Sequence, residues 1–242
     1  MRSEEKMSYQ DRDAMHFTRV SARDIDARVS FIRRTYAHLI GAVLAFVGLE
    51  VVLFQSGAAS VMLRAMASVP YAWLIVLGVF ALVGWVADWW AHNMESKPLQ
   101  YLGLGLYVVA EALIFVPLLF MATKYSDPLA LPGAAIATLT TFAGLTVAVF
   151  LTKKDFSFMR TGLIMASFLS LGVIMASILF GFKLGILFSG LMVLLASGTI
   201  LYNTSNILHH YRTDQHVAAS LSLFSSVALL FWYILRIFMS RD

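Results

Sequence analysis

The chain has 242 residues, 60% of them hydrophobic and only 13% charged, with a mean hydropathy of +0.78. A soluble domain carries about 25% charged residues, so this composition excludes one and points to an integral membrane protein. Cysteine is absent, which rules out disulfides and thiolate chemistry, and the net charge of +4 lies in segments flanking apolar runs rather than in a patch that would hold nucleic acid.

The opening segment, MRSEEKMSYQDRDAMHFTRVSARDIDARVS, is polar and mixed in charge. It lacks the apolar core and small-residue cleavage site of a signal peptide. Residues 1–30 are expected to be a cytosolic tail, largely disordered, with a short interfacial helix around Phe31 to Arg34. The remainder, 31–242, is read as one membrane domain.

A bilayer core of about 30 Å is crossed by about 20 apolar residues at 1.5 Å per residue. Seven stretches qualify: Thr35 to Phe54, Pro70 to Trp90, Leu99 to Ala122, Leu131 to Leu151, Met159 to Phe180, Leu184 to Ser205 and Val217 to Phe238. Lipid offers no partner to backbone N–H and C=O groups, so each must be a helix. The runs are continuous rather than alternating, which argues against a barrel. The expected fold class is an all-α integral membrane protein, a seven-transmembrane helix bundle in the lipid bilayer. Of the eighteen Lys and Arg, thirteen fall on the N-terminal side of such a bundle, eight of them before the first span. The positive-inside bias places the N-terminus in the cytosol, and Trp85, Trp89 and Trp90 suit an aromatic belt on that side.

Small residues at four-residue spacing, Ala166 and Ser170, Gly172 and Ala176, and Ala218, Ser222 and Ser226, are expected to let helices approach closely. Glu111 lies midway along the third span, where a bare carboxylate is costly. It is therefore protonated, paired with a neighbour such as Tyr107, or facing a wet cavity, and it is a candidate proton or cation site. Pro117 frees a carbonyl nearby or bends the helix. Glu50 and Asp88 lie near span ends and are read as solvated charges. His209, His210 and His216 lack an HExxH arrangement, so a structural or pH-responsive loop is favoured over a metal site. No Walker loop, G-x-S-x-G or dinucleotide fingerprint is present, so no catalytic residue, metal or cofactor is expected.

The stretch LYNTSNILHHYR, Leu201 to Arg212, carries more amides and hydroxyls than lipid tolerates. Thr199, Asn203 and Asn206 share one helix face, and Ala218, Ser222 and Ser226 repeat on the next helix. The short link between these helices makes them antiparallel neighbours. A polar seam between them follows, either as interhelical hydrogen bonds or as the lining of a hydrated path.

FIRRTYAHL (Phe31 to Leu39), LTKKDFS (Leu151 to Ser157), LYNTSNIL (Leu201 to Leu208) and AASLSLFSSVALLFWYILR (ending at Arg236) occur in an order and spacing that resembles the bacterial, YccA-like branch of the Bax inhibitor family. That resemblance makes Tyr202, Thr204 and Arg236 family-motif positions. Many members carry an aspartate pair that shares a proton and is proposed to gate a pH-sensitive calcium leak. Asn203 and Ser226 stand at the pair's positions here, and Leu229 replaces a helix-seven asparagine. A switch of that kind is therefore expected to be absent, leaving Glu111 as the remaining intramembrane acid. The resemblance also implies an inner-membrane stress-response regulator without enzymatic activity, acting through a partner such as the protease FtsH. The alternative is a passive calcium or proton leak through the bundle, lined by Thr199, Asn203 and Ser226.

Overall fold

The structure, a computed structural model, describes the backbone of residues 9–240 and the side chains of residues 25–240. The described residues form helices without strands: α1 (Tyr9–Gln55), α2 (Ala58–Ser68), α3 (Ala72–Ala91), α4 (Lys97–Tyr125), α5 (Ala130–Thr152), α6 (Arg160–Phe180), α7 (Ile186–His209) and α8 (His216–Met239), with a 3-10 turn at Ser157–Met159 before α6. All but α2 are long and apolar enough to cross a membrane. Large side chains such as Phe168 and Leu187 stand 72% and 78% exposed, a surface that only lipid would cover.

Two expectations are corrected. The segment read as largely disordered is helical from Tyr9, and α1 runs through residue 30 without a break. The loop after the first span contains an extra helix, α2, which carries Arg64. At 11 residues it is too short to span. Gly57, at φ 76°, turns the chain into α2.

The interior is built on α4 and α8, which bury most of their spans, whereas α6 contributes no buried residue. The most extensive pairings are α7 with α8 and α3 with α4. In the second of these, a Cβ at Gly103 would lie 2.5 Å from the Ala87 carbonyl oxygen and 2.7 Å from the Ala91 nitrogen. Only glycine fits, and the two backbones touch as small residues in membranes allow. The expected close packing through Gly172 and Ala176 does not occur, since a Cβ at Gly172 would meet nothing within 4 Å.

The connections are held by local polar bonds. Asn93 Oδ1 accepts from the Glu95 and Ser96 backbone N–H groups, both at 2.9 Å, and Ser96 caps α4. Arg28 on α1 donates to the carbonyls of Tyr211 at 2.6 Å and Ile207 at 3.4 Å, satisfying the open end of α7.

Candidate functional site

The α7–α8 seam is formed by direct hydrogen bonds. Asn203 Nδ2 donates to Ser226 Oγ at 2.9 Å and to the Ser222 carbonyl at 3.1 Å, and Ser226 Oγ donates to that same carbonyl at 2.9 Å. Thr199, one turn before Asn203, bonds the Ala196 carbonyl of its own helix at 2.8 Å. These residues line a cavity of about 440 Å³ that also reaches Asp88 and Tyr107. Asp88 remains exposed, as expected, and sits 3.3 Å from His92, whose pKa that contact raises against the opposing effect of burial.

Glu111 is not part of this group. It is 6% exposed, lies one helical turn from Tyr107, and lines a second cavity of about 1120 Å³ bounded by α2, α3, α4, α6, α7 and α8. The α4 helix continues through Pro117, which lines the same cavity. Arg236 lies at the far end, where its guanidinium donates to the Leu184 carbonyl at 3.2 Å and rests 5.9 Å from the Tyr233 ring centroid.

Phe80, Tyr107, Ser167, Ser225 and Leu229 line both cavities and so form the wall between them. The structure therefore brings Thr199, Asn203 and Ser226 together and leaves Glu111 beyond this wall, one turn past Tyr107. Ser225 was hidden in the sequence beside the four-residue repeat ending at Ser226, and only its contact with Tyr107 distinguishes it. From Ser222 to Arg236, the polar groups on α8 extend over about 21 Å at 1.5 Å per residue. That is roughly two thirds of the hydrocarbon core.

The remaining candidates have other surroundings. Tyr202 is half-buried on α7, and Thr204 is fully buried, its hydroxyl converging with those of Tyr36 and Thr146 between α1, α5 and α7. Glu50 departs from the solvated charge expected of it. It is 7% exposed, and neither carboxyl oxygen has a hydrogen-bond partner. Of the three histidines of the α7–α8 region, His209 and His210 stay neighbours, with ring centroids 6.2 Å apart, and His216 lies elsewhere. His210 Nε2 sits 2.9 Å from Asp155 Oδ2, while His216 packs on His38 with ring centroids 5.0 Å apart and reaches the Tyr101 hydroxyl at 3.4 Å. The Ser157 backbone N–H, at 2.8 Å, holds the Asp155 carboxyl below its ordinary pKa, and His210 adds to this. Ser205 completes this clamp by accepting from the Phe156 N–H at 2.9 Å.

Residues 28–242 match the family model described as "Inhibitor of apoptosis-promoting Bax1". The chain is 27% identical to Protein LIFEGUARD 4 of Arabidopsis thaliana, over 90% of this chain and 87% of that one. It is 27% identical to Bax inhibitor 1 of Schizosaccharomyces pombe, over 87% and 76% of the two chains. A Pseudomonas aeruginosa protein, PA2604, is 36% identical over 44% of this chain and 48% of its own. Since the family model spans nearly all of the seven-helix domain whose seam and cavities are described above, this multi-pass membrane protein belongs to the Bax inhibitor family.

Proposed function

We propose that the protein provides a passive, gated route for a cation or a proton across the membrane. The observation that carries this reading is the shared wall: two cavities, one reaching Asp88 and the other reaching Arg236, meet at Tyr107 and Ser225. A cation in bare hydrocarbon faces a Born cost of tens of kcal/mol, which the amide and hydroxyl groups lining the smaller cavity and the Glu111 carboxyl in the otherwise apolar larger one would lower. Thr199, Asn203 and Ser226 would line one side of the route, and Glu111 would offer the titratable group on the other.

The amide at Asn203 and the hydroxyl at Ser226 carry no proton to exchange near neutral pH, so any pH response would come from elsewhere, with Glu111 the intramembrane candidate. Calcium and protons are the ions to test, on the strength of the family resemblance. Purified protein in liposomes should pass one of them between about pH 6 and pH 8, and Glu111→Gln should lower that flux or remove its pH dependence. Flux equal to that of empty vesicles throughout would dispose of the proposal.

A second role, control of a membrane protease such as FtsH in the bacterial inner membrane, is proposed from the resemblance to YccA-like proteins. Residues 1–30, on the cytosolic side in this reading, would be the handle, and the side chains of residues 1–24 lie outside the described residues. Deleting Met1 to Ser30 should abolish co-purification with the protease. Unchanged co-purification would remove the segment from that account.

A further inference from the structure

The larger cavity has features that the ion route does not require. Its volume of about 1120 Å³ is slightly above the usual range of pockets that hold drug-sized ligands. Three serines of α6 face it, yet each spends its hydroxyl on backbone carbonyls: Ser167 on Leu163 at 2.8 Å, Ser170 on Ala166 at 2.7 Å and Ser177 on Phe182 at 2.7 Å. That wall is therefore effectively apolar, and α6 itself contributes no buried residue, so a lipid-soluble molecule meets only a loosely packed helix on that side.

Aromatic rings supply much of the opposite wall. Trp232 meets Phe115 edge to face at 4.9 Å between centroids and Trp73 at 6.4 Å, and Phe80 and Tyr107 continue the series at 6.0 Å. Within this setting stands one carboxyl group, Glu111, 6% exposed and touching the cavity. The guanidinium of Arg236 is removed to the other end. Arg236 lies eleven residues beyond Ser225 on α8 and Glu111 four beyond Tyr107 on α4, an axial offset between the two of about 10 Å at 1.5 Å per residue.

Ring faces attract cations, and a carboxylate in a low-dielectric cavity attracts them more strongly than it would in water. We infer that this cavity is a binding site for a lipophilic organic monocation, an amine or a quaternary onium ion, with its charge placed at Glu111 and its apolar groups against Trp73, Phe115 and Trp232. The same walls would accept a lipid acyl chain by shape, but such an occupant makes no use of the Glu111 carboxyl, which a cationic head group would engage. The inference does not depend on ion conduction.

The test uses the full-length protein in nanodiscs, with tetraphenylphosphonium as the probe and its near-isosteric anion, tetraphenylborate, as the charge-inverted control. Binding would be followed between about pH 7 and pH 9 by titration calorimetry and by tryptophan fluorescence. Saturable one-to-one binding of the cation is expected, at least about tenfold tighter than the anion, with a similar loss in Glu111→Gln and a smaller one in Trp232→Ala. If Glu111→Gln does not fold, as judged by circular dichroism and gel filtration, the cation-to-anion ratio on the unaltered protein still decides. Equal affinity for the two probes, absence of saturable cation binding, undiminished binding in folded Glu111→Gln, or a co-purified lipid that the cation fails to displace in native mass spectrometry would each overturn the assignment.

Discussion

The Tyr107 hydroxyl donates to Ser225 Oγ across 2.8 Å, joining α4 to α8 within the wall shared by the two cavities. Tyr107 also packs edge to face on Phe224 at 6.2 Å, which keeps its ring in place. Removing the hydroxyl while keeping the ring should loosen this closure without opening the core. Tyr107→Phe is expected to raise ion flux in liposomes several-fold, and Ser225→Ala should do the same. Flux unchanged or reduced in both variants would show that the bond is packing and not a barrier.

The amide of Asn203 crosses from α7 to α8 and makes two hydrogen bonds there. Interhelical bonds in membranes are worth about 0.6 to 2 kcal/mol. Asn203→Leu should therefore destabilise the bundle by about 1 kcal/mol in a mixed-micelle unfolding titration. Ser226→Ala should cost less, because the Ser222 carbonyl still accepts from Asn203. A double variant whose effect equals the sum of the two would mean that the bridge contributes nothing.

Gly103 and Gly172 offer a contrast between two glycines in spans. Adding a methyl group at Gly103 forces α3 and α4 apart, because the obstacles are backbone atoms that cannot rotate aside. Gly103→Ala should cost about 2 kcal/mol, within the usual range for overpacking. Gly172→Ala faces open space and should be neutral or slightly stabilising through higher helix propensity. Equal effects in thermal unfolding would contradict the close α3–α4 crossing.

The Asp155 clamp gives a pH prediction with a definite sign. The folded state lowers the pKa of this carboxyl below its ordinary 3.8. Its contribution is therefore present above that value and is lost as pH falls through the lower folded one. The group is solvent-exposed, so the effect is small. The melting temperature of the unaltered protein should exceed that of Asp155→Asn near pH 6, and the difference should shrink below about pH 4. A difference that grows on acidification would reverse the assignment.

The seven spans were legible because lipid imposes a minimum length on any crossing helix, a constraint visible in every apolar run. Helix α2 escaped notice because it is shorter than that minimum. The order of burial among the spans was much harder to read. In a soluble protein an apolar stripe marks the buried face, but lipid and protein interior are both apolar, so the stripe disappears. Small and polar residues are then the remaining guide, and they led in both directions. Ala218, Ser222 and Ser226 did mark the seam, whereas Gly172 and Ala176 lie on the helix with no buried residue. Asn203 with Ser226 was visible as a pair of faces on adjacent helices. The separation of Glu111 from them depends on where Tyr107 on α4 meets Ser225 on α8, a contact between residues 118 positions apart that no local spacing encodes.

Arg28 ties the membrane-proximal part of α1 to the Ile207 carbonyl in the last turn of α7 and to the Tyr211 carbonyl just beyond it, so two distant parts of the chain share one mechanical anchor. Tension applied to the N-terminal segment is delivered through that guanidinium to the turn between α7 and α8, only two turns of helix from Asn203. A molecule pulling on the chain's beginning would thereby also be pulling on the helix that carries the seam.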